Sequence, residues 1–273
     1  MTAIALAVRQ SPDWDALSRD HAAGVPIAPE RFAANRDVPS FPADIEALIA
    51  RWDSLARVPF FACRSRLKAI ATATWQASPG LHVIAHAAVP AWLATAPPDC
   101  LVMFSDDDDW LAPDLPGHLA TLPLMGHDAL VFPQVRTGLE CNTFAAADAH
   151  PAAPIGPLRA FAYRYHTNNH IFARPAFAKA SAADLGEHMS ASEVAGPAGL
   201  RDLLIPAIIS ATSKTPCSAS ILTNTVADAT RFTKTLDRYL TTLKRLPIPQ
   251  AHAWLATPLW DTIRLFEQAR PRR

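Results

Sequence analysis

Apolar and polar positions along this chain follow two periods in turn, and the elements they predict interleave. Thr2 to Val8 is a nearly unbroken apolar run of strand length. Pro42 to Arg57 carries Ile45, Leu48, Ile49, Trp52 and Leu55 at helical spacing, with Pro42 suited to a first turn. Leu67 to Gln76 predicts a second helix, preceded by the basic Arg64-Ser65-Arg66. Leu81 to Ala85 predicts a short strand, Val89 to Ala96 a helix stopped by Pro97-Pro98, and Cys100 to Ser105 a buried strand. Beyond it a helix is expected from Ala112 to about Leu122, strands at Ala129 to Phe132 and around Ile171-Phe172, and a helix over Pro175 to Ala183. Leu203 to Ser210 and Ser220 to Thr225 predict late strands. Two helices close the chain. Leu236, Tyr239, Leu240 and Leu243 form the stripe of the first; the second has Thr257 as its cap, Pro258 at its first position and Leu259, Ile263 and Phe266 as its stripe. Ser11 to Ser40 carries a weak helical signal, and Asn142 to Pro157 reads as a loop.

Strands alternating with helices predict an α/β fold: a mainly parallel central sheet flanked by helices, plus the C-terminal helices. Residues 1–225 are expected to form the α/β domain and 226–273 a helical extension packed on it. Half of the 273 residues are hydrophobic, enough for a sizeable core. The 25 basic and 25 acidic residues cancel, which argues against the basic excess of generic nucleic-acid binding, so no nucleic-acid partner is expected. Met1 to Arg9 lacks a charged leader region, and no segment reaches the length of uninterrupted apolar residues that a membrane span needs. The expectation is a cytoplasmic protein with no integral membrane segment. Cys63, Cys100, Cys141 and Cys217 show no Cys-x-x-Cys spacing and read as buried thiols. The chain has no His-Glu-x-x-His, no phosphate-binding Walker loop, no Gly-x-Gly-x-x-Gly and no Gly-x-Ser-x-Gly.

The chemistry concentrates where the strand Cys100 to Ser105 ends, at Asp106-Asp107-Asp108-Asp109. Four adjacent carboxylates repel one another and are tolerable at neutral pH where water or a cation takes up the charge. An all-oxygen donor set favours Mg²⁺ or Mn²⁺ over Zn²⁺. The position adds weight, since open α/β sheets bind ligands outside the carboxyl ends of their strands. The alternative is a solvated turn in which Asp109 or Asp114 caps the helix starting near Pro113; one aspartate suffices for that.

The string from Phe104 through Asp106-Asp107-Asp108-Asp109-Trp110-Leu111-Ala112-Pro113-Asp114-Leu115 resembles the Asp-x-Asp region of GT-A glycosyltransferases, especially family-2-like enzymes. Asp106, Asp108, Asp109, Pro113 and Leu115 stand in that register. The resemblance covers about residues 60 to 225 and implies a Rossmann-like GT-A fold, a nucleotide-sugar donor, a carbohydrate or small-molecule acceptor such as a bacterial glycan, and Mn²⁺ or Mg²⁺ as cofactor. By resemblance Asp106 would help hold the ribose or the metal, Asp108 would coordinate the metal bridging the diphosphate, and Asp109 would support either role. Asp107 is the member expected to tolerate substitution best. Arg64 and Arg66 are candidates to engage phosphates, or are surface charges. His166-Thr167-Asn168-Asn169-His170 resembles the acceptor-side segment, so His166, Thr167, Asn168 and Asn169 are expected at sugar hydroxyls, or form a polar turn. Inverting members place a carboxylate base near Asp184-Leu185-Gly186-Glu187-His188; Glu187 is the first choice, Asp184 and Glu193 the alternatives, with His188 or His166 as a further metal ligand. The usual Glu-Asp pair of that motif is absent, and Ala7-Val8-Arg9-Gln10 is at best a remnant of the usual nucleotide turn. Two further readings use the same aspartates: a divalent-metal phosphoesterase or nucleotidyl hydrolase, and a catalytically inactive GT-A-like binding protein.

Overall fold

The computed structural model describes residues 2–9, 12–32, 44–120, 126–132, 134–138, 160–161, 170–186, 197–204, 208–246, 248 and 250–271. The strands are β1 (Ile4–Val8), β2 (Leu81–Ala85), β3 (Leu101–Ser105), β4 (Trp110–Leu111), β5 (Ala129–Val131), β6 (Gln134–Gly138), β7 (Ala160–Phe161), β8 (His170–Ala173), β9 (Asp202–Leu204) and β10 (Ser210–Lys214). Six of them form the main sheet in the order β2-β1-β3-β8-β5-β9. β1 pairs in parallel with β2 and β3, and β5 in parallel with β9. β8 runs antiparallel between β3 and β5. The sheet is therefore mixed but mostly parallel, and the fold is α/β. A smaller sheet, β4-β10-β6-β7, lies beside it and joins the two-residue β4 to the chain's later half.

β1 and β3 are buried at every position, as strands covered on both faces must be. Their alternation divides the core in two. Ile4, Leu6, Leu101 and Met103 enter one cluster, and Ala5, Ala7, Val102 and Phe104 the other.

The helices are α1 (Trp14–Ala22), α2 (Ile45–Leu55), α3 (Phe60–Gln76), α4 (Val89–Thr95), α5 (Leu115–Ala120), α6 (Ala182–Gly186), α7 (Ala219–Thr225), α8 (Ala229–Lys244) and α9 (Ala256–Ala269). α3 starts earlier than its apolar pattern suggests, because Pro59 precedes it and the Asp53 carboxylate accepts the Phe60 N–H at 2.7 Å. Arg64, Ser65 and Arg66 therefore lie inside the helix. Ser220 to Thr225 is helical rather than extended. Its β-branched residues favour a strand, but the buried Ile221, Leu222 and Thr225 share one helical face. Pro175 to Ala183 splits into a 3₁₀ turn over Arg174–Ala178 and the short α6. In α9 the cap position is Leu255, and Pro258 stands in the first turn, where its missing N–H costs no helical bond.

The two C-terminal helices share the larger core cluster with the sheet and α1 to α3. Phe232 of α8 meets Trp52 edge-on at 5.2 Å, and Tyr239 meets Phe266 at 5.0 Å. No helix among the described residues is long and apolar enough to cross a membrane.

Because Phe266 is fully buried in that shared cluster, Phe266→Ala is expected to lower the stability of the whole chain by about 3–5 kcal/mol. A single urea transition with a lowered midpoint is the expected result. A second, independent transition would show that residues 226–273 unfold alone.

Candidate functional site

β1 and β3 lie side by side in register, Val8 opposite Ser105. The next strand after β1 in the chain is β2, on one side of β1, whereas β8, β5 and β9 continue beyond β3 on the other. The sheet's direction of growth reverses between β1 and β3, which is where open α/β sheets form a ligand crevice at their carboxyl edge. Arg9 and Asp106 are the first residues past the two strand ends. The Arg9 N–H donates to the Ser105 carbonyl at 2.9 Å, continuing the ladder. The Arg9 Nε donates to Asp106 Oδ1 at 3.1 Å, and its Nη1 to the Gly186 carbonyl at 3.1 Å.

His86 follows β2 at the same edge, with its ring edge-on to Phe104 at 5.2 Å and its Nε2 3.2 Å from the Ala182 carbonyl. A Cβ on Gly186 would run into the tip of the His86 ring and the edge of the Phe104 ring, so a side chain there would require those rings to shift.

The four aspartates alternate in direction. The side chains of Asp106 and Asp108 are 35% and 17% exposed, against 4% for Asp107, and Asp109 is buried. Arg64, one turn into α3, spans the cluster as a fork: its Nη2 meets Asp107 Oδ1 at 2.9 Å and its Nη1 meets Asp108 Oδ2 at 2.8 Å. Its guanidinium lies over the Trp14 ring, 5.0 Å from the centroid, and the Trp14 indole N–H donates to Asp107 Oδ2. Asp109 folds back on the turn. Its Oδ2 accepts the Asp106 N–H at 3.2 Å and the Ser105 hydroxyl at 3.4 Å, and Thr212 of β10 hydrogen-bonds its carboxyl as well. Helix capping falls to Asp114, which has φ +57° and accepts the Gly117 N–H at 3.2 Å.

These contacts set the charge. Burial pushes the Asp109 carboxyl up to about 7, and the neighbouring Asp106 and Asp108 charges push the same way. Burial also raises Asp107, to about 6, with the Arg64 charge opposing it. Burial opposes the charge on Arg64, but Asp108 and Asp107 prevail and hold it above its ordinary value. Arginines and a retained proton thus take up much of the charge that the sequence assigns to a cation.

No protein-family model matches the chain, and no curated protein matches its sequence.

The other expected site residues separate. Arg66 leaves the crevice: it is exposed and donates to Gln268 of α9 at 2.7 Å. Asp184 is exposed in the first turn of α6, where it accepts the Ser181 hydroxyl at 2.6 Å and returns its own N–H at 3.1 Å, a capping arrangement rather than that of a base in a crevice. His166, Thr167, Asn168, Asn169, Glu187, His188 and Glu193 lie outside the described residues. Trp14 and His86 join the site without having been singled out for it, while Arg9 and Gly186 stand in the sequence analysis only as members of the remnant turn and of the segment expected to hold the base. A lone charge directly after an apolar strand, as at Arg9, was the available signal.

The fit to a divalent cation is limited. Among the described residues no three His, Cys, Asp or Glu side chains form a group able to hold a metal ion. Asp109 turns inward, away from the crevice, so the carboxylates facing solvent are Asp106 and Asp108. Two carboxylates match the share that a protein gives Mg²⁺ when phosphate oxygens and water complete the shell.

Asp107 is the buried, doubly bonded member, so a change there acts on the packing of the turn whatever its effect on a bound cation. Asp107→Ala takes the acceptor from the buried Trp14 indole N–H and from one arm of Arg64, whose other arm keeps Asp108, and is expected to cost about 1–3 kcal/mol. Asp108→Ala, which leaves Arg64 its Asp107 partner, is expected to cost about 1 kcal/mol. Urea denaturation of both variants checks this order.

Asp109 yields a pH prediction. Its folded value of about 7 lies above the ordinary 3.8, so the folded state keeps a proton that the unfolded chain releases. The stability this contributes is complete below about pH 4 and is lost as pH rises through about 7. Wild-type stability measured across that window should carry this downward slope, and Asp109→Asn should lack it. Equal slopes would place a carboxylate, not a carboxylic acid, in the folded state.

Proposed function

We propose that this chain is a GT-A-like glycosyltransferase, which takes a nucleotide-sugar donor in the crevice at the ends of β1 and β3 and passes the sugar to a carbohydrate or small hydroxyl-bearing acceptor. The observation that carries this reading is the pairing of Asp106 and Asp108, solvent-facing at the point where the sheet's strand order reverses, with Arg9 and Arg64 bound to them. The mostly parallel α/β sheet is compatible with a Rossmann-like GT-A fold, and the Asp-x-Asp register with Pro113 and Leu115 supports it further.

Asp106 and Asp108 would hold Mn²⁺ or Mg²⁺ together with the donor's diphosphate. The cation, when bound, offsets charge on the diphosphate as the sugar–oxygen bond breaks. Arg9 and Arg64 hold the two carboxylates in place, and each brings a positive charge to the mouth of the crevice. Trp14 and Asp107 keep Arg64 aimed. Glu187, next in the chain to the anchored Gly186, is the proposed base for the acceptor hydroxyl.

A second reading, an inactive binding protein with this fold, draws support from the arginine contacts, which already occupy one oxygen on each solvent-facing carboxylate.

Calorimetric titration with UDP, GDP and dTDP, with and without Mn²⁺, tests the proposal. The expected result is binding of one nucleotide that needs the cation and is lost in Asp108→Ala. Slow hydrolysis of the matching nucleotide sugar then favours the transferase, and its absence favours the binding protein. Cation binding with no affinity for any nucleotide would overturn both.

A further inference from the structure

Two cysteines that the proposed reaction does not use meet in the core beneath Arg64. Cys63, on α3, and Cys217, in the turn before α7, are 154 residues apart in the chain, yet their Sγ atoms are 3.8 Å apart and both residues are buried. Neither thiol is placed there by a flexible arm. Cys63 is held by the helix that carries Arg64 at the next position. Cys217 is held by a tight turn: the Thr215 N–H donates to Ser218 Oγ at 2.9 Å, and Thr215 Oγ1 lies 3.3 Å from Cys217 Sγ. Cys100 stands apart, buried at the start of β3, and Cys141 lies outside the described residues.

We propose that Cys63 and Cys217 are an oxidisable pair that hydrogen peroxide converts to a disulfide tying α3 to the turn before α7. The sulfurs have only to approach by roughly 1.8 Å to reach the bonded separation of about 2.05 Å.

Cys217 is the attacking sulfur. Burial pushes its thiol up, but the Cys63 hydrogen bond, the Arg64 charge and the Thr215 hydroxyl together bring it below its ordinary value. Its thiolate attacks one peroxide oxygen; the O–O bond breaks, hydroxide leaves and takes up a proton, and Cys217 becomes a sulfenic acid. The Cys63 sulfur then attacks the Cys217 sulfur, the S–O bond breaks, and the second oxygen leaves as water with the Cys63 proton. Two thiols and one peroxide become one disulfide and two waters, with sulfur oxidised and peroxide reduced.

The bond would close a very long loop and so raise resistance to unfolding by restricting the unfolded chain. It would also fasten α3 one residue from the guanidinium that organises the aspartates.

The test is peroxide treatment of the full chain, followed by thiol titration in denaturant and peptide mapping by mass spectrometry. The expected results are a loss of two of the four thiols, a mass decrease of about 2 Da reversed by dithiothreitol, and a linked peptide containing Cys63 and Cys217. The oxidised form should also unfold at a higher urea concentration than the reduced form, and Cys63→Ala should abolish both the linkage and that increase. If that variant does not fold, the wild-type peptide map decides alone. Four surviving thiols, stable sulfinic acid at Cys63 or Cys217, or a disulfide through Cys100 or Cys141 would overturn the proposal.

Discussion

The fork that Arg64 makes with Asp107 and Asp108 is the contact on which the rest of this site depends. Four carboxylates at one strand end cannot all be charged and buried without partners. The chain resolves the conflict by direction. Asp107 is buried against one arm of Arg64 and the Trp14 indole, Asp109 against the backbone of its own turn, and Asp106 and Asp108 are left at the surface. α3 must then start early enough to bring Arg64 beneath the cluster, and α1 must place Trp14 under the guanidinium. The packing of these two helices serves the electrostatics of a turn that neither contains.

Most of the fold was legible because it rests on local pattern. β1, β2, β3, β5 and the stripes of α2 and α8 follow from apolar periodicity that tertiary contacts do not overrule. The departures have identifiable causes. The start of α3 depends on Asp53 bonding to Phe60, a contact across a turn that periodicity does not encode. α7 contains residues with strand propensity, but a helical face is what the core receives there. The reversed β8 between parallel neighbours is a matter of pairing, which no single segment's pattern states.

The candidate site was legible in its position more than in its workings. An apolar strand ending in aspartates at a sheet edge is a local signal. The partners that decide each aspartate's role come from far along the chain: Arg9 from β1, Arg64 and Trp14 from two helices, and Thr212 from the second sheet. The substitution tolerance expected of Asp107 came from its register in the aspartate string, which carries no trace of its contacts with Arg64 and Trp14. Arg64 and Arg66 looked equivalent as neighbouring basic residues; two positions along a helix turns them to different faces, one to the aspartates and the other to Gln268.

The close approach of Gly186 to His86 has a consequence for how this chain can vary. The space that a side chain at position 186 would need is already filled by the imidazole at 86 and the ring at 104. The sizes of these three residues therefore form a single quantity shared among three separate elements. A larger residue at 186 requires the rings at 86 and 104 to shift or shrink, so the effects of substitutions at these three positions are expected to be coupled rather than additive.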